Sequence, residues 1–378
     1  MKKIVLLGAT GSIGTSTLEL VRKNPDKFQI VGASAHSQFS QLEKLAQELN
    51  IENLFDSRGD YDFVEFLKKC EPDIVLNAVT GFAGLKFSLE TLKQKIPLAL
   101  ANKESLVTGG KILMDLSRET KTPIIPVDSE HSAIFECLIK NTSDSSSPGQ
   151  GRLGGVDNKG NLSYKPYHKI LLTCSGGPFF GYTREELTQV TKAQALKHPN
   201  WDMGAGITID SATLANKCLE FFEAMHLFGA TKDQIEIVIH RESIVHSMVE
   251  FEDSSILAQL APPNMGLPIG MALNYPNKSD YSLPRQDFRN LNLSFRQPDK
   301  EVFTTLKLLD ICAENMENFP IVFNAAKEVL VSRFLQEKIH FIDIFDGLEK
   351  IINETKLEKV DSIEKILEID KKTRKIIL

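Results

Sequence analysis

The sequence predicts an α/β protein built from three consecutive parts. The first is a doubly wound, Rossmann-like parallel sheet, because short apolar runs alternate with amphipathic segments up to about residue 140. The second is α+β with a mostly antiparallel sheet, because several strands follow one another without helices between them. The third is helical from Val302 onward. We therefore predict parts at 1–140, 141–280 and 301–378, with a connector at 281–300.

The first part opens with a strand, a turn and a helix. Ile4–Leu7 is a continuous apolar run typical of a buried strand, and Ser12–Lys23 repeats its apolar residues at helical spacing. Further strands are predicted at Phe28–Ala33, Asp73–Asn77, Pro97–Leu100 and Pro123–Val127, and further helices at Gln41–Leu49 and Ser129–Lys140. Strands that alternate with helices are joined by parallel crossovers.

The central part begins after a polar segment. Asn141–Ser163 is rich in Ser, Gly, Asn and Asp, so we predict a mobile loop or linker there. Strands are predicted at Lys169–Cys174, Ile235–His240, Ser243–Phe251 and Ser255–Leu260, the last two as a hairpin, and a helix is predicted to begin at Asp210.

The C-terminal part follows a connector punctuated by prolines. Helices are predicted at Ile321–Gln336, Ile342–Asn353 and Asp361–Lys375. Asp361 and Glu364 have the spacing of a capping box, which predicts the start of the last helix.

Composition excludes several classes of protein. The 378 residues include 44 Lys and Arg against 50 Asp and Glu, and a net charge of −6 disfavours nucleic acid as a partner. Apolar runs stay below the roughly 18 residues that a membrane span needs, and the N-terminus does not resemble a signal peptide. The five cysteines are widely spaced without a CxxC pair, which favours neither disulfides nor a zinc site. We expect a soluble, cytoplasmic protein.

A glycine-rich turn joins the first strand to the first helix. Gly8, Gly11 and Gly14 form the pattern GxxGxxG, which allows a pyrophosphate to approach the N-terminal amides of the helix. A purely structural turn is the alternative, but the strand–turn–helix context favours dinucleotide binding. The turn lacks the Lys-Ser/Thr pair of a nucleoside triphosphate P-loop.

The residues after the second strand favour NADP over NAD. An acidic residue there would bind the ribose hydroxyls of NAD, whereas this chain has His36, Ser37 and Gln38. Small polar groups and a histidine can accept the extra phosphate of NADP. The alternative is that these residues only shape a loop.

Two carboxylates follow the strand predicted at Pro123–Val127. Asp128 and Glu130 project to the same side of an extended segment, and their hard oxygens suit Mg²⁺ or Mn²⁺. Taken alone, the pair is better explained by helix capping and the helix dipole.

The helix predicted to begin at Asp210 changes that balance. Asn216, Lys217 and Glu220 lie at spacings of three and four, so they share one face, with Ser211 in the predicted first turn. An amide, an ammonium and a carboxylate on one face can bind a phosphate at one end and a metal at the other. The alternative is an ordinary solvated face with a Lys–Glu pair.

Ser175 opens a Ser-Gly-Gly turn directly after the strand at Lys169–Cys174. Such a turn exposes backbone amides and a hydroxyl, which suits an anionic group. A structural turn is the alternative.

The single tryptophan, Trp201, lies between Pro199 and Gly204 in a polar segment. We interpret this segment as a lid that closes over substrate and excludes water. A tryptophan that anchors a static loop is the alternative.

Seven motifs lie in order along the chain: GATGSIG (8–14), ANKESLV (101–107), PVDSEHSAIFE (126–136), SGGPF (175–179), HPNWDMG (198–204), DSATLANKCLE (210–220) and NAAKE (324–328). Together they resemble one enzyme family, 1-deoxy-D-xylulose 5-phosphate reductoisomerase. The resemblance spans the chain and agrees in order and spacing, which makes it more specific than any single motif.

This resemblance implies an activity and an assembly. The activity is the conversion of 1-deoxy-D-xylulose 5-phosphate to 2-C-methyl-D-erythritol 4-phosphate with NADPH and a divalent metal, in non-mevalonate isoprenoid synthesis. The assembly is a homodimer formed through the central part, which is also the catalytic part. The substrate is a small phosphorylated sugar, and no nucleic acid or membrane is a partner.

The resemblance also implies residue roles. Those for NADPH fall on Thr10, Gly11, Ser12 and Ile13 of the turn and on Asn102, Glu104 and Gly204. Gly8 and the segment His36, Ser37 and Gln38 join this predicted cofactor site from the arguments on the glycine turn and the second strand, not from the resemblance. The metal ligands are Asp128, Glu130 and Glu220. The residues that contact substrate oxygens are Lys103, Ser129, Glu130 and Glu220. The residues that bind the substrate phosphate are Ser175, Ser211, Asn216 and Lys217. His198 also contacts the substrate, and Trp201 covers the bound substrate. Lys103, Asp128, Glu130, His198 and Glu220 are the candidate catalytic residues.

The chain departs from the family pattern at several positions. His36–Gln38 replaces a Gly-Lys-Asn type sequence, Cys174 and Cys218 replace glycines, and HRES (240–243) stands where HPQS is typical. The 141–163 segment is longer than usual. None of these departures falls on an implied metal ligand.

Two other functions are open on the sequence. A semialdehyde dehydrogenase would use Cys174 as a thioester nucleophile, but that leaves the three acidic residues without a role. A non-catalytic NADP sensor would bind cofactor without a metal requirement.

Overall fold

The computed structural model describes residues 1–59, 62–139, 141–142, 152–153, 164–201 and 203–377. The chain forms two compact units made of discontinuous segments. Unit 1 comprises Met1–Ser105, Leu113–Pro166 and Asn264–Pro284, and unit 2 comprises Leu106–Ile112, Tyr167–Pro263 and Arg285–Leu378. The three parts predicted from the sequence are each one continuous stretch of chain, unlike these units. The boundaries of the three parts stay a prediction.

The structure contains strands and helices in the following chain order. The strands are β1 (Lys2–Leu7), β2 (Phe28–Ala35), β3 (Asn53–Asp56), β4 (Ile74–Asn77), β5 (Leu98–Leu100), β6 (Ile124–Pro126), β7 (Asn141–Thr142), β8 (Arg152–Leu153), β9 (Lys169–Cys174), β10 (Ile235–Ile239), β11 (Val245–Glu250) and β12 (Ile256–Leu260). The helices are α1 (Ser12–Lys23), α2 (Phe39–Leu49), α3 (Phe63–Cys70), α4 (Gly84–Lys93), α5 (Lys103–Thr120), α6 (Ser129–Leu138), α7 (Arg184–Leu187), α8 (Lys192–Ala195), α9 (Ala205–Ala212), α10 (Ala215–Phe228), α11 (Gly266–Asn274), α12 (Thr305–Glu314), α13 (Phe319–Leu335), α14 (Ile342–Glu354) and α15 (Ile363–Ile377).

Unit 1 contains the predicted parallel sheet. Its six strands lie in the order β3-β2-β1-β4-β5-β6, and every pairing is parallel. The chain reverses its winding direction between β1 and β4, which is where doubly wound sheets bind ligands at the carboxyl ends of the strands. The predicted Rossmann-like fold is confirmed.

Strand β3 is not among the elements predicted from the sequence. It is four residues long, and local periodicity is too short there to indicate a strand. Its Phe55 is instead buried by long-range aromatic packing, with ring centroids 5.6 Å from Phe63, 5.2 Å from Phe66 and 5.9 Å from Phe87. Tertiary contacts therefore decide this strand.

Unit 2 contains a four-stranded mixed sheet in the order β10-β9-β11-β12. Two of its three pairings are antiparallel, including the predicted hairpin of β11 and β12. Strands β9 and β10 pair in parallel, because helices α7–α10 separate them along the chain and return it in the same direction.

A short antiparallel pair, β7 with β8, lies within the segment predicted to be a mobile loop. The rest of that prediction for Asn141–Ser163 falls outside the described residues.

The prediction of one helix beginning at Asp210 is wrong. Helix α9 ends at Ala212, and α10 begins at Ala215. Leu214 separates them with a left-handed backbone, φ +57°, which periodicity along the sequence does not reveal. Ser211 therefore lies in the last turn of α9 rather than in a first turn.

The C-terminal helices pack around α13, which contacts α14 and α15. The predicted capping box of the last helix is wrong by one residue. Ser362 precedes α15, and its hydroxyl accepts a hydrogen bond from the Lys365 amide at 3.2 Å, so Ser362 rather than Asp361 caps the helix.

Among the helices that the structure describes, none combines the length and apolarity that crossing a bilayer requires.

Candidate active site

The glycine turn of unit 1 lies at the carboxyl edge of the sheet. Gly8 has φ +79°, and a Cβ on it would lie 2.6 Å from the Ala78 carbonyl oxygen, just beyond β4. The Gly8 amide donates to the Ser34 hydroxyl at 3.2 Å, and the Ala9 amide donates to the Ser34 carbonyl at 2.9 Å. Only glycine fits this crossing of the β1, β2 and β4 ends.

The turn leads directly into α1. Gly11 occupies the N-cap position of α1, and Ser12 and Ile13 form its first turn, which carries no acidic side chain. The first amides of a helix and its dipole favour an anion. Thr10 and Gly11 therefore lie just before α1, with Ser12 and Ile13 in its first turn, and their role in binding a dinucleotide stays a prediction.

His36, Ser37 and Gln38 are exposed directly after β2. The His36 ring contacts the Ser57 hydroxyl at 3.1 Å, which adds the end of β3 to this edge. Arg58 follows, and its hydrogen bonds lower the pKa of Asp56 to about 2. Sequence reasoning missed Ser57 and Arg58, because β3 itself gave no signal.

Asn102 and Glu104 shape the loop after β4. The Asn102 amide donates to the carbonyls of Val79 at 2.7 Å and Gly81 at 2.8 Å, and Glu104 accepts from the Gly81 amide at 3.2 Å. Asn102 is buried and also caps α5 by accepting from Ser105 at 3.1 Å. Both side chains therefore fix the backbone at the edge where the glycine turn lies.

Asp128 and Glu130 follow β6 at the same edge. Asp128 stands at the N-cap position of α6, yet none of the described amides of that helix donates to its side chain. It instead forms an ion pair with Lys103. One oxygen of Asp128 and one of Glu130 lie within 4.8 Å of each other, and Ser129 donates to Glu130 at 2.6 Å. This arrangement does not support the capping interpretation and suits a shared cation.

On the face that carries Asn216, Lys217 and Glu220 in unit 2, Lys217 and Glu220 are buried rather than solvated, and Asn216 is half-buried. The Lys217 and Glu220 side chains are 3% and 1% exposed and form an ion pair, and Asn216 also donates to Glu220. Lys217 donates further to the Thr173 carbonyl at 2.6 Å. A buried charge without a partner costs free energy of folding, so this cluster is not an ordinary surface ion pair.

The Ser-Gly-Gly turn packs against the end of α9. Gly176 and Gly177 both have left-handed backbones, with φ +77° and +66°. A Cβ on Gly177 would lie 2.7 Å from the Ser211 carbonyl oxygen, so the turn and Ser211 are adjacent. Lys217 contacts Thr173, two residues before Ser175. The structure thus brings the predicted phosphate residues of unit 2 to one corner.

His198 links this corner to the tryptophan segment. Its Nδ1 accepts from the amides of Asn200 at 3.2 Å and Trp201 at 2.9 Å, which leaves the proton of the neutral ring on Nε2. That Nε2 lies 3.1 Å from the Ser175 hydroxyl oxygen. The Trp201 ring lies near His246, with centroids 6.3 Å apart, and Gly204 precedes α9 at its N-cap.

Family models match most of the chain. Two are described as the C-terminal domain of 1-deoxy-D-xylulose 5-phosphate (DXP) reductoisomerase and match residues 124–228 and 260–376. A third, described as 1-deoxy-D-xylulose 5-phosphate reductoisomerase, matches residues 4–56 and 55–110. The chain belongs to the DXP reductoisomerase family.

Relatives and solved structures agree with this assignment. DXP reductoisomerases of Bacillus cereus (strain Q1) and Phocaeicola vulgatus are 40% and 39% identical, covering all of this chain and 99% and 98% of their own. A crystal structure of the reductoisomerase with NADPH, fosmidomycin and magnesium is 34% identical, with TM-score 0.89, covering 100% of this chain and 97% of that one. The Zymomonas mobilis reductoisomerase with NADPH is 34% identical, with TM-score 0.82, covering 99% and 97%.

The DXP reductoisomerase assignment does not favour the dehydrogenase alternative. Cys174 is buried at the end of β9, where its backbone carbonyl accepts from the His240 amide at 2.7 Å. It therefore occupies a structural position beside the Ser175 turn of a reductoisomerase.

One residue of this corner is absent from the predicted site. Arg241 donates from Nη1 to the carbonyls of Ser175 at 2.8 Å and Gly177 at 2.6 Å. In the sequence it appears only as a departure from the DXP reductoisomerase pattern, and nothing local connects it to a turn 64 to 66 residues earlier.

Proposed function

We propose that this protein converts 1-deoxy-D-xylulose 5-phosphate to 2-C-methyl-D-erythritol 4-phosphate, using NADPH and a divalent metal. The observation that carries the proposal is its full-length similarity to a reductoisomerase solved with NADPH, fosmidomycin and magnesium. The reaction isomerises the carbon skeleton to a branched aldehyde and reduces that aldehyde. It is an early step of isoprenoid precursor synthesis.

We propose that NADPH binds at the carboxyl edge of the parallel sheet. Gly8, Thr10, Gly11, Ser12 and Ile13 receive the pyrophosphate, because they form the glycine turn and the start of α1. The remaining residues of the proposed NADPH site are His36, Ser37, Gln38, Asn102, Glu104 and Gly204. The exposure of His36–Gln38 after β2 supports a place for the 2′-phosphate there.

Asp128, Glu130 and Glu220 are the proposed metal ligands. Their donor set fits the ion, because hard carboxylate oxygens are the ligands that Mg²⁺ and Mn²⁺ prefer. The proximity of Asp128 and Glu130 supports this, as does the burial of Glu220. When bound, the ion polarises the ketone of the substrate and stabilises the alkoxide that develops.

Ser175, Ser211, Asn216 and Lys217 are the proposed phosphate ligands. Two observations support this proposal. The Ser175 turn is adjacent to Ser211, and the Lys217 side chain on α10 donates to the Thr173 carbonyl near the end of β9. A phosphate held there fixes the substrate while its carbon skeleton rearranges, which keeps the intermediate aldehyde in place for reduction.

Further substrate contacts are proposed for Lys103, Ser129, Glu130, Glu220 and His198. Lys103 is the cation next to Asp128, so it can neutralise charge or assist proton transfer at a substrate oxygen. His198 supports Ser175 through its Nε2, and Trp201 covers the substrate and excludes water.

A spectrophotometric assay tests the proposed function. NADPH oxidation should require 1-deoxy-D-xylulose 5-phosphate, stop with EDTA, and resume with Mg²⁺ or Mn²⁺. NADPH binding that persists without any substrate-dependent oxidation in the presence of Mg²⁺ would instead indicate a non-catalytic NADP sensor.

We further propose that the protein is a cytoplasmic homodimer. Strand β12 is an edge strand, and its apolar Ile256, Leu257 and Leu260 are 51%, 46% and 38% exposed, which is a surface that a second copy can cover. The five free, buried cysteines are compatible with a reducing compartment. Light scattering should give twice the mass of one chain, and a Leu257→Lys variant should shift that mass towards one chain.

A further inference from the structure

We propose that Arg241 is a positioning residue that holds the Ser175–Gly177 turn in its phosphate-binding conformation. This inference rests on the phosphate role proposed above for Ser175. Arg241 has no motif that assigns it a function, and it does not need to touch the substrate to act.

The Arg241 guanidinium binds the two glycines of the Ser175–Gly177 turn through the backbone carbonyls around them. Its Nη1 donates to the carbonyl of Ser175 at 2.8 Å and to that of Gly177 at 2.6 Å. These two carbonyls bracket Gly176, and both glycines have positive φ, a region that a flexible glycine leaves readily. A charged donor that bonds both carbonyls restricts the rotation of the peptide units between them.

The guanidinium cation is itself held in place. It lies over the Phe180 ring, 5.2 Å from the centroid, and the Asn200 side chain donates to the Arg241 carbonyl at 2.8 Å. Asn200 also donates to the Ser243 hydroxyl at 2.7 Å. Arg241 therefore connects the phosphate turn to the segment that carries His198 and Trp201.

The clamped conformation prepares Ser175 as a donor. The Ser175 hydroxyl oxygen accepts a hydrogen bond from the Gly177 amide at 3.2 Å. The same oxygen lies 3.1 Å from His198 Nε2, which carries the ring proton. Two accepted hydrogen bonds leave the hydroxyl proton of Ser175 for an acceptor such as a phosphate oxygen. If the turn leaves this conformation, the hydrogen bond from the Gly177 amide to the Ser175 hydroxyl is lost. The hydroxyl proton of Ser175 then no longer points towards the phosphate.

Kinetics of Arg241→Met and Arg241→Lys test the inference. Methionine keeps an unbranched side chain against Phe180 but removes every donor, so KM for 1-deoxy-D-xylulose 5-phosphate should rise at least tenfold, with kcat changing less than threefold and KM for NADPH unchanged. Lysine retains one cationic donor group and should recover part of the loss. The matched control is Arg184→Met, because Arg184 also lies over a ring, that of Phe345, and bonds Asp346 rather than the turn.

A binding measurement separates this inference from the proposed reaction. Protection of the folded protein by inorganic phosphate, followed by its melting temperature, should be weaker in Arg241→Met than in the wild type and in Arg184→Met. An unchanged substrate KM in a folded Arg241→Met, or phosphate protection equal to that of wild type, would overturn the positioning role. Wild-type protein without substrate-dependent NADPH oxidation would refute the proposed reaction, while the phosphate comparison would still decide the role of Arg241.

Discussion

Lys327 Nζ lies 2.8 Å from Asp210 Oδ2, and the two side chains are 4% and 8% exposed. The pair joins α13 to α9, one residue before Ser211. Because both charges are desolvated, such a buried pair adds little to the free energy of unfolding compared with two apolar side chains. Removing only one of the two charges is strongly destabilising, because the other charge stays buried. The main consequence of the pair here is to fix the end of α9 that presents Ser211.

Removing the lysine should destabilise the protein strongly. Lys327→Ala takes the cation away from a buried carboxylate, which should lower the free energy of unfolding by about 3–5 kcal/mol. Urea unfolding followed by fluorescence measures this change. The double variant Lys327→Met with Asp210→Asn should recover most of the loss, because neither buried charge remains. A loss below about 1 kcal/mol in the single variant would contradict this account.

The proposed metal ligands should be separable from the cofactor site. Asp128→Asn and Glu220→Gln should each lower kcat by about 100-fold or more, since a weaker ligand set no longer holds the ion. NADPH affinity, measured by fluorescence titration, should stay near the wild-type value. Glu314→Gln, at an exposed ion pair with Lys232, is the control. Normal turnover in either ligand variant would remove that residue from the metal site.

Lys217 should act mainly on substrate affinity. Lys217→Met keeps most of the length of the side chain and removes the cation of the buried Lys217–Glu220 pair, so the variant should be less stable, as argued for Lys327. In the folded variant, KM for the phosphorylated substrate should rise about tenfold or more, as expected for a lost charged hydrogen bond. Steady-state kinetics at saturating NADPH measure it. Lys232→Met, on the surface, should behave like wild type. An unchanged KM would exclude the phosphate role.

His226 should make stability depend on pH. Its ring lies against Gly110, and burial lowers its pKa from 6.5 to about 4. The unfolded chain therefore binds more protons between pH 6.5 and 4, and stability falls as the pH drops through that window. Between pH 7.5 and 5.5 the wild type should lose about 1 kcal/mol more than His226→Phe. Equal losses in both proteins would show that another group is responsible.

Gly14 should be essential for the dinucleotide turn. A Cβ there would overlap the Gly8 carbonyl and lie 2.5 Å from the Ala9 carbonyl carbon, so Gly14→Ala must displace the turn. NADPH affinity should fall about tenfold, or about 1.4 kcal/mol, by calorimetric titration. Gly206→Ala is the control, because a Cβ there meets none of the described atoms within 4 Å. Wild-type affinity in Gly14→Ala would contradict the steric argument.

Local pattern was sufficient for the elements that carry strong periodicity or punctuation. The strand–turn–helix at Gly8, the helix after Asp128 and the β11–β12 hairpin all follow from spacing and turn residues, because these depend on neighbours along the chain. The same reasoning failed at β3 and at Leu214. A four-residue strand and a single left-handed residue carry too little local signal.

The sequence by itself determined the fold class and many of the strands and helices, and it supplied most of the candidate site residues. Only the tertiary structure decided that Lys217 and Glu220 are buried partners, that Asp128 pairs with Lys103 rather than capping its helix, and that Arg241 holds a turn far away along the chain. Burial and long-range hydrogen bonds depend on how distant segments pack, and no periodicity in one segment encodes them.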